Sequence, residues 1–265
     1  MNKYITAGEL AKLATTTKRT IQFYDKKGVL KPAKINESKY RLYFERQVLD
    51  YQMILLLSTL GVSLTEIKSH LKKRNDLAKL FEKKEDLIKN KIEEFNFNLK
   101  NIRQYLLNLK NNKTLVNPKI KFIKPFRVYY LDKIGSYAKI GSYCQELEGM
   151  FLKKGRKFTT LTIFENQNYS PKKSKMKICA LYLPGMELKK NYINIVQEMV
   201  YNPGKVMSYM YHGRGEMLSL FWKELEKYCK LKKYQVRTDV FDYEIYWKVS
   251  VNLIKQEFEF FLPIK

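Results

Sequence analysis

Two groups of side chains have the types and spacing to do chemistry. In Glu257-Phe258-Glu259-Phe260-Phe261-Leu262-Pro263, strand alternation places Phe258, Phe260 and Leu262 on one face and Glu257, Glu259 and Phe261 on the other. If the first set packs on helices, the Glu259 carboxylate points to the opposite face, toward a cleft. A carboxylate among aromatic rings suits a cation, because each ring face attracts one by about 0.5–2 kcal/mol and the carboxylate adds the counter-charge. In the preceding strand-like segment Glu244 and Tyr246 share a face opposite Phe241, Tyr243, Ile245 and Trp247. The expected ligand set is Glu259, Glu244, Tyr182, Tyr246 and Phe261, and the expected ligand is an amphipathic organic molecule, with cations favoured.

The second group is basic and aromatic. Thr17 precedes Lys18 and Arg19, followed by Gln22, Phe23 and Tyr24; further on come Lys39, Tyr40, Arg41 and Tyr43. Such mixtures contact phosphates, sugars and base edges. Other candidates carry less. His212 reads as a turn residue, no Ser, Cys or Asp being set around it by motif, and GSYAKIGSY lacks the glycine order of a phosphate loop. Three widely spaced cysteines, Cys144, Cys179 and Cys229, read as buried thiols rather than a disulfide framework or zinc site. No catalytic residue, metal site or cofactor is implied.

The elements that must hold these residues are legible. Thr6 with Glu9 forms a capping box, so a helix starts at Thr6 and runs to about Ala14 with Leu10, Leu13 and Ala14 inward. Thr17 caps a second helix with Lys18 and Arg19 in its exposed first turn and Ile21 inward, ended by Gly28. That is helix-turn-helix spacing. AKINESKYRLY then reads as two short strands about Asn36-Glu37-Ser38, a wing. Val48, Leu49, Met53, Leu56, Leu57 and Leu60 mark one buried face of a third helix, and Ser63 with Glu66 starts a fourth. From Phe81, the residues Ile88, Ile92, Phe95, Leu99, Ile102, Leu106 and Leu109 keep a heptad seam among polar neighbours, which requires a partner helix.

Beyond residue 118 the pattern turns to period two and repeats the order strand, helix, strand, strand, with Leu183-Pro184 aligned to Leu262-Pro263 and Glu259 to Ala180. The expected fold class is multidomain α+β. Its parts are a winged helix-turn-helix head over 1–75, a coiled-coil dimer helix over 76–112, a linker over 113–118 and a doubled strand-helix-strand-strand domain over 119–265. The chain of 265 residues is long enough for this division. It lacks a long apolar run and a signal-like start, which points to the cytoplasm. Its net charge of +25 favours a polyanionic partner, although a Lys-, Asn-, Ile- and Tyr-rich composition also follows from AT-rich coding.

The segments GELAKLATTTKRTIQFYDKKGVLKPAK and YRLYFERQVLDYQMILLLSTLGVSLTEIKSHL resemble the MerR family of winged-helix transcription regulators, and follow its order through His70-Leu71. The doubled C-terminal half, ending Glu259-Phe260-Phe261-Leu262-Pro263, is similar to the GyrI-like effector-binding domain of the family's drug-sensing branch. The resemblance implies a homodimer formed through 81–109, double-stranded promoter DNA as partner, a small organic effector, and RNA polymerase engaged indirectly when the bound promoter is untwisted and bent. It assigns DNA contact to Thr17, Lys18, Arg19, Gln22, Tyr24, Lys39, Tyr40, Arg41 and Tyr43. Gln22 stands where the family usually has arginine, and Lys39 where it usually has glycine before Tyr-Arg. Two other readings stay open: a GyrI-like hydrolase, or a ligand-independent interaction module, fused to the DNA-binding head.

Overall fold

The computed structural model describes residues 3–71, 77–152, 158–166, 172–250 and 255–265. The chain divides into two units, 1–93 and 94–265.

In the first unit, α1 (Ala7–Leu13) starts at the Thr6–Glu9 capping box, and α2 (Lys18–Lys26) starts at Thr17, whose hydroxyl accepts from Thr20 N. Leu10 and Ile21 are fully buried between them. Leu13, expected inward, is 51% exposed. Ala7 and Ala11 take the inner face instead, because they share the helix side of Leu10 at spacings of three, four and one residues, and Leu13 lies beyond it. Three short strands, β1 (Tyr4–Thr6), β2 (Lys34–Ile35) and β3 (Arg41–Phe44), pair in the order β1-β3-β2. β2 and β3 are the expected wing; β1 was not expected as a strand.

α3 (Gln47–Thr59) buries Tyr51, Ile54 and Leu57, with Val48 and Met53 packed against the same core, whereas Leu49, Leu56 and Leu60 are exposed, so only half of the anticipated face is turned inward. Leucine, isoleucine and methionine surround this helix on every side, and periodicity then selects no face. α4 (Leu64–His70) starts at the Ser63–Glu66 capping box. The turn between α1 and α2 places Thr15 at φ 51°, a conformation that clashes with a β-branched side chain and costs about 1–2 kcal/mol. Thr15→Gly is therefore expected to stabilise the head by about 1 kcal/mol, read as a higher thermal midpoint of the head.

α5 (Leu77–Asn112) is a single long helix. Its N-terminal Leu80 is buried in the head core, while every residue of the heptad seam is exposed, from Phe81 at 38% to Phe95 at 67%.

The second unit is an eight-stranded antiparallel sheet ordered β4-β9-β11-β10-β6-β7-β5-β8. The strands are β4 (Lys119–Ile123), β5 (Phe126–Gly135), β6 (Thr160–Phe164), β7 (Ser174–Leu181), β8 (Gln197–Tyr201), β9 (Gly204–His212), β10 (Asp242–Lys248) and β11 (Glu257–Pro263); α6 (Ile140–Gly149) and α7 (Leu218–Leu231) complete it. The expected repeat is present as β5-α6-β6-β7 and β9-α7-β10-β11, and the strand order is symmetric about the β10–β6 pair. β4 and β5, at opposite ends of the sheet, are joined by Lys124-Pro125 alone, and β8 and β9 by Asn202-Pro203 alone. Joints this short cannot span a flat sheet of eight strands about 4.8 Å apart, so the sheet must curl until its ends meet.

Both faces are packed. On the helix side Met176, Ile178, Ala180, Phe258, Phe260 and Leu262 join Cys144 and Leu147 of α6 and Phe221 and Leu225 of α7. On the other face Val128, Leu161, Cys179, Val206, Tyr243, Ile245 and Phe261 form a separate cluster. Ala180 thus faces the helices, whereas Glu259 pairs across the ladder with Ile245 of the opposite cluster. The alignment of Glu259 with Ala180 is corrected by this: side chains alternate with period two, so these positions are out of phase.

Candidate functional site

Capping fixes the geometry of the head's basic surface. Thr17 stops the chain in extended conformation and orients the first turn of α2, so that Lys18 and Arg19 follow directly at its N-terminus. Thr17, Lys18, Arg19, Gln22, Lys39, Tyr40 and Arg41 are all exposed. Lys39 adopts φ 60° at the wing turn, the backbone state glycine supplies without strain. Its amide donates to Asn36 O, and Tyr40 N donates to Asn36 Oδ1 at 2.7 Å, which closes the turn.

One of the expected contacts is corrected. Tyr43 is fully buried and its hydroxyl has no partner among the described residues; burial and the nearby Asp25 push its pKa up to about 12. β3 alternates, and Tyr43 points to the core side of the wing. Tyr24 is half-buried, edge-on to Tyr51 at 6.0 Å and to Phe23 at 5.4 Å, so its ring is mainly packing. Arg41 does not stand alone: its Nε donates to Asp25 Oδ2 at 2.5 Å, tying the wing to α2. A residue with both charge and a fixed partner presents its remaining nitrogens from a set position. Asp25 was missed by sequence reasoning because nothing local links positions sixteen apart.

In the second unit the two glutamates part company. Glu259, on β11, has a side chain 4% exposed, and both its oxygens are taken. Oε1 accepts from Lys121 Nζ of β4 at 2.5 Å and from Ser208 Oγ of β9, and Oε2 accepts from Trp247 Nε1 of β10 at 2.9 Å. Burial alone would raise its pKa, but the hydrogen bonds from Lys121, Ser208 and Trp247 together hold it below the usual value. Phe261 lies on the same face, its ring centre 5.9 Å from the Lys121 ammonium.

Glu244 lies on the helix face, paired across the ladder with Phe260. Its carboxylate accepts from Trp222 Nε1 of α7 at 3.0 Å and from the Tyr246 hydroxyl at 2.7 Å, and that hydroxyl is 2.8 Å from Thr162 Oγ1. Without a cation beside it, burial dominates and pushes its pKa up to about 7. The expected ligand set is therefore corrected. Glu244 and Tyr246 belong to a buried network on one face, and Glu259 and Phe261 to the other. Tyr182 joins neither: its ring stacks under the Arg127 guanidinium at 4.4 Å and beside Tyr129 at 5.9 Å. One residue of the Glu259 site was absent from the expected set, Lys121. Its signal was present in Lys119-Ile120-Lys121-Phe122-Ile123, an alternating run that reads as a strand with both lysines on one face.

Residues 5–74 match the family described as MerR HTH family regulatory protein. Over 72 residues the chain is 40% identical to the Multidrug-efflux transporter 2 regulator of Bacillus subtilis (strain 168), covering 27% of this chain and 26% of that protein. Over 68 residues it is 37% identical to the HTH-type transcriptional regulator CueR of Vibrio cholerae, covering 26% of this chain and 49% of that protein. The matches thus span between a quarter and a half of these relatives' own length. Among solved structures, the EcmrR–DNA complex in EcmrR-RPo aligns with 98% of this chain and 99% of that chain at 19% identity and a TM-score of 0.48.

Proposed function

We propose, from the premise that residues 5–74 are a MerR-type helix-turn-helix head, that the chain is a dimeric DNA-binding transcription regulator. The observation that carries this is the position of Lys18 and Arg19. They stand exposed in the first turn of a Thr17-capped helix, within the segment that matches the family. In this reading residues 1–75 bind promoter DNA, 76–112 pair two chains through the exposed seam, 113–118 connect, and 119–265 receive an effector. Two-fold symmetry of the dimer fits a palindromic site. Thr17, Lys18, Arg19, Gln22, Lys39, Tyr40 and Arg41 form the DNA-facing set, and Glu259 with Phe261 the effector set.

The effector is an amphipathic organic molecule whose cation replaces existing charge at Glu259. Bending a promoter costs on the order of 1–6 kcal/mol, so the effector's preference for one dimer state must be of similar size. The protein acts in the cytoplasm as a regulator rather than an enzyme. Glu259 already accepts three hydrogen bonds and is poorly placed to move protons, and among the described residues no helix is long and apolar enough to cross a membrane.

The test is binding to a site recovered by genome-wide binding. With roughly 6–10 phosphates contacted, affinity should fall about a thousandfold or more between 50 and 200 mM salt. Because each substitution occurs twice in the dimer, Lys18→Ala should weaken binding and reduce the salt slope by about two, and Arg19→Ala should cost about 1–3 kcal/mol per head. A salt-insensitive complex, or variants that bind like the native chain, would remove the basis of the reading.

A further inference from the structure

We infer that Lys121 is a built-in occupant of the Glu259 site, and that a cationic effector acts by displacing it and releasing strand β4. This rests on the effector role proposed for Glu259 and specifies how that site is coupled to the rest of the chain.

The Lys121 ammonium sits where the cation of a ligand belongs. It is 2.5 Å from Glu259 Oε1 and 5.9 Å from the centre of the Phe261 ring, with the Trp247 indole and Ser208 hydroxyl completing the carboxylate's partners. The arrangement shows that this buried carboxylate accommodates an ammonium. The Lys121 side chain is 41% exposed, so the ammonium can leave into water while the carboxylate, at 4%, cannot. An incoming cation must carry its own charge into the same place, because an unpaired buried carboxylate is costly. A neutral molecule of the same shape cannot displace the lysine without leaving that carboxylate uncompensated. The selectivity of the site is therefore set by exchange of one cation for another.

What moves with the lysine follows from topology. β4 is an edge strand paired only with β9, and four of its five residues are exposed. The Lys121–Glu259 contact is a side-chain tie that crosses β9 to reach β11. Five residues upstream, Val116 is fully buried, Leu115 N donates to Glu224 Oε2 of α7 at 2.6 Å, and Asn108 of α5 donates to Leu115 O at 2.6 Å. The strand that loses its tie is thus the first strand after α5, anchored to that helix within a few residues. Loss of the tie lowers the stability of an edge strand already at the weak end of the sheet.

The experiment uses the full chain and tetraphenylphosphonium as the cationic probe, with triphenylphosphine oxide as a neutral one, read by quenching of tryptophan fluorescence. Lys121→Met is expected to bind the cation about tenfold or more tightly than the native chain, since no internal cation competes. Lys121→Arg should bind as the native chain does, Glu259→Gln should lose cation binding while keeping the native thermal midpoint, and the neutral probe should bind the native chain much more weakly than the cation. In the native chain, saturating tetraphenylphosphonium should speed amide hydrogen exchange in 119–123. This readout needs no variant to fold. Unchanged or weaker binding by Lys121→Met, with Glu259→Gln still defective, overturns the displacement proposal and leaves the effector reading standing. Unchanged exchange in 119–123 at saturation also overturns the displacement proposal. Absence of cation binding by the native chain and Lys121→Met alike overturns both.

Discussion

If the proposed dimer forms through the α5 seam, a full-length chain carrying Phe95→Glu and Ile102→Glu is expected to sediment as a monomer at concentrations where the native chain sediments as a dimer, and to bind the proposed DNA site at least about a hundredfold more weakly. Phe95 is 67% and Ile102 54% exposed, so each glutamate points into water in the single chain and α5 loses no internal packing. In a paired seam the same side chains are buried. Each one contributes about 1.5–3 kcal/mol as an apolar residue, and a carboxylate in its place must be desolvated without a partner. Two substitutions per chain appear four times in a symmetric interface. DNA affinity follows because one head docked on a half-site raises the effective concentration of the other. Sedimentation velocity and an unchanged thermal midpoint of the monomeric variant separate this outcome from simple misfolding. A variant that stays dimeric would show that the seam serves another purpose.

The second large effect concerns pH. In the folded chain Glu244 keeps its proton up to a pKa of about 7, against an ordinary 4.5. The folded state therefore holds a proton that the unfolded chain has already released, and stability falls as pH rises through this interval. Below pH 4.5 the penalty is absent; above pH 7 it is complete, at about 3 kcal/mol. Glu244→Gln should remove it. The amide oxygen can accept from Trp222, and the amide nitrogen can donate to the Tyr246 oxygen while that hydroxyl turns toward Thr162. Between pH 5.5 and 8 the native second unit should lose stability steeply, and the variant should lose much less. Asp242, pushed up to about 6 by burial, leaves a residual slope in both. Thermal unfolding across that range decides the matter, and parallel curves would mean that Glu244 is charged and accommodated in the fold.

These two sites also show what the sequence could and could not disclose. The capping residues Thr6, Thr17 and Ser63 marked their helices because capping is a local event, settled within four residues. The heptad seam was legible because its neighbours are polar; α3, apolar all round, hid its buried face. Strand alternation correctly separated Phe258, Phe260 and Leu262 from Glu259. Alternation along one strand cannot reveal which residues of another strand share its face, and so Glu244 was grouped with Glu259 although the ladder sets it opposite Phe260. Asp25 and Lys121 escaped for the same reason. Each completes its pair across a long stretch of chain, and only pairing of strands and helices brings it into reach.

The symmetric strand order also has a reading in terms of ancestry. β8 follows the first repeat and pairs with β5, the opening strand of that repeat; β4 takes the corresponding place beside β9, the opening strand of the second. A unit of five elements, duplicated and then permuted so that its last strand stands at the front, gives this order. By descent, then, the strand that leads out of α5 is a member of the second copy, and the chain enters the doubled domain through the half that carries Glu259.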